Sequence, residues 1–158
     1  MKQNDDTAYN GYNAKQDGTL YEQAFILRCM VRGLHPHPSV GDYLPHDMIV
    51  QNQAGRMIRV QIKGTDALQK ERSAKGANKR SYAKHGRYRI TAMMGAKGRK
   101  QPIDCHLVDV LALYVKAHDT FYNIPCTELT SSSIWIAPHD PTSRGKFEKY
   151  MESWDVYK

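Results

Sequence analysis

A chain of 158 residues with 41% hydrophobic and 25% charged side chains has the size and balance of one globular domain around a single core. No run approaches the roughly 18 consecutive apolar residues of a membrane span, and the polar start 1–6 lacks the apolar centre of a secretory signal, so no membrane partner is expected. The net charge of +7 is concentrated: between Gln69 and Lys100, eleven Lys or Arg residues face one acid, Glu71, so that stretch carries +10 and the rest sums to −3.

Such a stretch is the electrostatic signature of a polyanion-binding surface; the plainer alternative is a solvated loop that aids solubility. Cys29, Cys105 and Cys126 are odd in number, widely spaced and free of any C-x-x-C pair. Neither a disulfide framework nor a zinc ribbon is expected, and a reducing cell interior fits better.

Residues 1–17 are polar and aperiodic and read as a flexible arm before a single domain over 18–158. Thr19-Leu20-Tyr21-Glu22 matches the S/T-x-x-E capping box. Leu20, Ala24, Leu27, Val31 and Leu34 follow at helical spacing and Gly33 suits a stop, predicting a helix over 19–32. Glu22 is then either a cap partner or a carboxylate projecting from the first turn toward a neighbouring element. His35-Pro36-His37-Pro38 cannot continue the helix and reads as a loop, positioned near phosphate. A zinc site from His35, His37 and His46 is not expected, because no partner at a known ligand spacing completes the set.

The most informative stretch is 45–65, PHDMIVQNQAGRMIRVQIKGT. Asp47 enters the apolar run Met48-Ile49-Val50, and a turn-like Asn52-Gln53-Ala54-Gly55 follows. Ile58, Val60 and Ile62 then alternate with Arg59, Gln61 and Lys63. Period two predicts a half-buried strand, and the glycine-containing connection predicts a hairpin. Cross-strand neighbours approach within roughly 5 Å, so Asp47, Gln61 and Lys63 can converge, and a carboxylate, an amide oxygen and an ammonium there suit a divalent metal and a water.

Residues 66–86 are polar and basic and fit a loop, a flap or a helix that orders against a partner. A third strand is predicted over 87–93 and a basic turn over 96–100. The most apolar run, 106–116, predicts a central buried strand in which Asp109 is either a functional candidate or a hydrogen-bonded structural aspartate, the second being favoured. Short strands are predicted over 120–125 and 133–136. Phe147, Tyr150, Met151 and Trp154 at i, i+3, i+4 and i+7 predict a C-terminal amphipathic helix that packs on the core.

A helix bearing Glu22, a strand opening at Pro45-x-Asp47, a turn and a strand ending Gln61-x-Lys63 resemble the PD-(D/E)-x-K nuclease superfamily. Together with 108–115, 121–125 and 145–154 they look like the small nucleases related to group I intron homing endonucleases, which are similar to archaeal Holliday-junction resolvases. The resemblance covers about residues 18–155. It implies an α/β (α+β) restriction-endonuclease-like fold, an αβββαβ core with a mixed central sheet flanked by helices. It implies hydrolysis of DNA, duplex or branched, with Mg²⁺ or Mn²⁺ as substitute, by a dimer or tetramer in the cytoplasm of a bacterial, archaeal or phage-encoded system, at the nucleoid. Asp47 would be the main metal ligand, helped by the Gln61 oxygen and the Ile62 carbonyl. Lys63 would orient the attacking water, and Glu22 would bond the metal or a water on it. Phosphate contacts are expected from Lys70, Arg72, Lys75, Lys79, Arg80, Lys84, Arg87, Arg89, Lys97, Arg99 and Lys100. Gln61 departs from the family pattern, since a neutral amide stands where an acid is usual. The alternatives are therefore a catalytically degenerate nucleic-acid-binding module on the same fold and a structural or RNA-associated protein.

Overall fold

The computed structural model describes residues 14–41, 43–69, 86–95 and 100–158. It opens with helix α1 (Ala14–Val31), followed by β1 (His35–Pro38), β2 (Met48–Gln51) and β3 (Met57–Thr65). Next come β4 (Leu68–Gln69), β5 (Arg87–Thr91), β6 (Met93–Met94) and β7 (Gln101–Pro102). The chain closes with β8 (Val110–Val115), β9 (Thr120–Pro125) and β10 (Ser133–Ile136), then single 3₁₀ turns at Glu148–Tyr150 and Asp155–Tyr157. Among the described residues no helix is long and apolar enough to cross a membrane.

The central sheet has the order β1-β2-β3-β8-β9 and is mixed: β3 and β8 run parallel, and the other neighbours are antiparallel. A smaller sheet, β10-β5-β4, covers part of its second face, and β6 and β7 form a separate two-stranded piece. The described residues linking β3 to β8 are strands and turns, and α1 is the one α-helix among the described residues. The mixed central sheet and its covering helix match the expected restriction-endonuclease-like fold.

Alternation within β8 joins two cores. Val110, Ala112 and Tyr114 pack with Phe25, Cys29, Val60 and Tyr157 on the α1 side. Leu111, Leu113 and Val115 pack with Tyr88, Ile90, Ile134 and Ile136 of the smaller sheet. A strand buried on both faces reads as a continuous apolar run, as 106–116 does. The second core reaches β8 and β9 but stops short of β2 and β3, whose same face is left open. That gap forms a cleft.

Several local expectations are corrected. Helix α1 begins at Ala14, inside the stretch read as an arm, because Asp17 sits in its first turn and pairs with Lys116 Nζ at 3.2 Å. Thr19 is therefore interior, not a cap, and its hydroxyl donates to the Lys15 carbonyl at 3.1 Å. The buried face is Tyr21, Phe25 and Cys29, whereas Leu27 and Val31 are 61% and 74% exposed. Aromatic contacts decide this: Phe25 meets Phe121, Trp154 and Tyr157 at centroid distances of 5.6–6.1 Å.

His35–Pro38 is an edge strand, not a loop. The residue before each proline is driven into extended geometry, and an edge tolerates prolines that cannot donate. The C-terminal segment is not an amphipathic helix, because its polar groups close the outer edge of β9. Glu152, at φ 50°, donates its N–H to the Phe121 carbonyl (2.7 Å), and its Oε1 accepts the Phe121 N–H (2.8 Å). The strand expected over 87–93 is divided between β5 and β6.

Cys105 and Cys126 form a disulfide with Cα atoms 5.4 Å apart, while Cys29 stays free and buried. Antiparallel β8 and β9 bring the approach to one beside the exit of the other, with Val110 opposite Pro125. An odd cysteine count therefore left one pair, and it no longer argues for a reducing compartment. Residues 96–99 of the basic turn and 70–85 of the polar basic stretch lie outside the described residues.

Candidate active site

The β2–β3 hairpin forms as its pattern predicts, with Met48 opposite Val60 and Gln51 opposite Met57. Its turn is set by Asn52, whose Oδ1 accepts the N–H groups of Ala54 and Arg56 at 3.0 and 2.9 Å. Gly55 takes φ +82°, the left-handed region open to glycine.

The β2 ladder ends at Met48, one residue after Asp47, and this places the site. The Asp47 main chain is still held on both sides: its N–H donates to the Val60 carbonyl (2.9 Å) and its carbonyl accepts the Ser39 N–H (3.0 Å). Beyond that point the Ile62 N–H is not taken by β2 and donates to Asp47 Oδ2 at 2.6 Å. Gln61 Nε2 donates to the same oxygen at 2.5 Å. Asp47 and Gln61 thus meet on adjacent strands, through the Gln61 nitrogen and not the expected oxygen, and the Ile62 N–H joins them.

Lys63, two residues along the same face, is half-buried in the same cleft. Burial holds its ammonium below the usual lysine pKa; Asp47 pulls it back up and Lys100 pushes it down. Lys100, expected on the phosphate path, is therefore near enough to act on the site. Glu22 reaches the cleft from α1, so its projecting role, not the cap role, is the one the fold supports. Its helix lies close on β3: a Cβ added at Gly64 would stand 2.5 Å from the Tyr21 ring.

The cleft has a volume of about 990 Å³. Beyond the four expected residues, its walls include His46, Met93, Met94, Gln101, Asp104 and Leu107. Sequence reasoning did not find Asp104, which arrives from a turn, or the two methionines, which form the short strand β6; neither carries a spacing signal. Gly64 had a signal: glycine inside a strand marks a close backbone approach. A second cavity of about 660 Å³ lies among Arg32, Gln53, Trp154 and Lys158, away from this carboxylate–lysine pair.

The donor set can be tested against a metal. Among the described residues no three His, Cys, Asp or Glu side chains form a ligand cluster, which speaks against zinc-type ligation. Asp47 and Glu22 supply two carboxylates on one cleft. That fits Mg²⁺, which takes oxygen ligands, uses one or two protein carboxylates and keeps waters or substrate phosphate. Gln61 fits less directly, because its amide nitrogen, not its oxygen, faces Asp47.

Asp109 is structural, as its place in the apolar run predicts. Its Oδ2 accepts the Arg59 N–H (2.8 Å) and Nε (3.0 Å), and its Oδ1 accepts Nη2 (2.8 Å). Hydrogen bonding to Arg59 holds its carboxyl below the usual aspartate range. Of the expected phosphate contacts, Arg87 and Arg89 stand on the smaller sheet and Lys100 by the cleft. Lys70, Arg72, Lys75, Lys79, Arg80, Lys84, Lys97 and Arg99 lie outside the described residues.

No curated protein matches the chain in sequence. Among solved structures, the bacterial homing endonuclease I-Ssp6803I shares the fold at a TM-score of 0.72 and 22% identity, over 91% of this chain and 92% of that one. The family model described as PD-(D/E)XK endonuclease matches residues 12–157, a span that holds Glu22, Asp47, Gln61 and Lys63 and the sheet that brings them together. The chain belongs to the PD-(D/E)XK endonuclease family.

Proposed function

We propose that this nuclease is a metal-dependent DNA endonuclease that hydrolyses phosphodiester bonds with Mg²⁺, Mn²⁺ serving as substitute. The observation that carries the reading is the meeting of Asp47, Gln61 and Lys63 on adjacent strands with Glu22 on the wall of the same cleft. Asp47, the Ile62 carbonyl, Glu22 and the Gln61 oxygen would hold the ion. When bound, it supplies Lewis-acid charge beside the phosphate and a lowered water pKa.

The chain's own groups do the rest. The Ile62 N–H fixes the Asp47 carboxylate against rotation. Gln61 serves as an oxygen donor once its amide turns over. Lys63 sets a positive charge where negative charge develops on phosphorus, and its low-dielectric surroundings strengthen that interaction. It also orients the attacking water. Eleven cations between Gln69 and Lys100 supply charge for the phosphate backbone. Self-association as a dimer or tetramer, to cut both strands, and a cytoplasmic location belong to the same proposal.

The test is a cleavage screen over duplex, branched and single-stranded DNA with Mg²⁺ or Mn²⁺. Wild type cuts at least one; Asp47→Ala and Lys63→Ala bind DNA and do not cut. Intact DNA at high enzyme excess overturns the proposal. Gln61 favours a second reading, a binder that does not cut, because its amide already satisfies Asp47. Salt-dependent binding without metal uptake would establish that one.

A further inference from the structure

We infer that the outer face of the smaller sheet is a second nucleic-acid contact surface, which stacks an unpaired base on Trp135 and takes the flanking phosphates on Arg87 and Arg89. Strand alternation defines the face. Tyr88, Ile90, Ile134 and Ile136 point into the core, so Arg87, Arg89 and Thr91 of β5 and Ser133 and Trp135 of β10 point outward. Trp135 lies directly opposite Arg89 and is 43% exposed, a large aromatic that the core does not use.

The guanidinium of Arg89 is fixed by Ser133 Oγ, which accepts from Nε at 3.3 Å and Nη2 at 2.9 Å, and stands 5.7 Å from the indole centroid. Arg28, Arg32 and Arg59 each pair with a carboxylate. Among the described residues neither Arg87 nor Arg89 does, and the buried Nε of Arg87 has no hydrogen-bond partner. An aromatic plane beside cations that pair with no described carboxylate, on strands that present no acid there, is the chemistry that holds single-stranded nucleic acid.

Position ties this face to the cleft. From Arg89 the chain runs through Thr91 into Met93, on the cleft wall. A nucleic-acid strand bound in the cleft therefore continues past Met93 onto this face and presents one of its bases to Trp135. In continuous duplex that base is stacked and closed to the indole. The favoured substrate is DNA unpaired near the cut, such as a branch, flap or bulge. This inference rests on the proposed nuclease function and narrows its substrate.

The experiment compares wild type, Trp135→Ala and Trp135→Phe on a paired duplex and on the same duplex with an unpaired extension. Affinity and tryptophan emission are read in EDTA, and cleavage separately with Mg²⁺. Trp135→Ala is expected to lose about 5- to 100-fold in affinity for the extended DNA and little for the duplex. Trp135→Phe retains most of the affinity, and the emission quench that the extension produces in wild type disappears in it. Arg89→Ala lowers the salt slope by about one on both substrates. Equal losses on the two DNAs, no loss, or no binding of either DNA by wild type overturn the inference. Wild-type cleavage with no Trp135 effect sinks it alone. A Trp135 effect without any cleavage leaves this surface standing and removes the nuclease reading.

Discussion

Replacing Gly64 by alanine tests whether the packing of α1 on β3 positions the proposed active site. An added Cβ would stand 2.5 Å from Tyr21 Cδ2 and Cε2 and 2.7 Å from Cγ. Carbon atoms settle at about 3.5–4 Å, so the ring must withdraw by roughly 1 Å. It has little room, because Tyr21 is buried and packs edge-on against Tyr114 at 5.8 Å. The helix must therefore shift, taking Glu22 away from Lys63 and Asp47. Overpacking of this kind costs about 1–3 kcal/mol, which for a domain of this size lowers Tm by about 2–12 °C. A displacement of about 1 Å at a catalytic group costs up to about 100-fold in rate. The assay is single-turnover cleavage with Mg²⁺ beside thermal unfolding and DNA affinity. Gly64→Ala should lose rate far beyond its loss of affinity, since the cations on the smaller sheet are untouched. Adding Tyr21→Leu, which removes the ring, should restore part of the rate. A Gly64→Ala protein with wild-type rate and Tm refutes the reasoning, and parallel loss of binding and cleavage would show unfolding instead.

Reducing the Cys105–Cys126 disulfide, or replacing both residues by serine, opens a loop with a sequence separation of 21 and should cost about 3 kcal/mol. Unchanged denaturant midpoints with and without reductant would exclude it. Asp109→Asn should lower stability at neutral pH by about 1–2 kcal/mol, discounted because the Arg59–Asp109 pair is one-third exposed. The folded Asp109 pKa lies below the ordinary aspartate value of 3.8, so its contribution is present above that pH and lost as pH falls through the folded value. The variant should thus show a shallower acid loss of stability below about pH 4 than wild type, and identical acid profiles would contradict the pairing. Gln61→Glu removes a hydrogen bond to Asp47 and sets two carboxylates together, so the metal-free protein should be less stable while Mg²⁺ or Mn²⁺ binds more tightly. Calorimetry showing weaker ion binding would count against Gln61 as part of the ion's surroundings.

The hairpin and its polar face were legible because their signal is local. Period two in 57–63 puts Gln61 and Lys63 on one side whatever packs on the other, and Asn52 to Gly55 carry turn chemistry of their own. The strand 110–115 announced itself because burial on both faces leaves no polar alternation. What failed depended on partners distant in sequence. The apolar stripe through Leu27 and Val31 was as regular as the one that is buried, and Phe121, Trp154 and Tyr157 decided in favour of Phe25. The 147–154 pattern satisfies helical spacing, yet the open edge of β9 claims the Glu152 main chain and side chain. Cys105 and Cys126 could be paired only once β8 and β9 were known to be antiparallel neighbours.

The geometry also explains why a glutamine can stand at position 61. Around the cleft Asp47, Glu22 and Asp104 carry three negative charges, and Lys63 and Lys100 carry two positive ones. An acid at 61 would add a fourth negative charge, hard against Asp47, where like charges at contact destabilise the metal-free fold. Glutamine instead donates to Asp47, so this carboxylate is held by two donors before any substrate arrives. The negative charge that the family pattern places at this position is then missing from the protein, and a phosphodiester entering the cleft is the group that restores it. Since Mg²⁺ characteristically completes its shell with substrate phosphate, under the proposed function ion and DNA would each favour the other at this site, and linkage would make that preference reciprocal. On the proposed metal-dependent mechanism, Gln61 would thus shift the site from one that holds its ion beforehand to one assembled by the substrate.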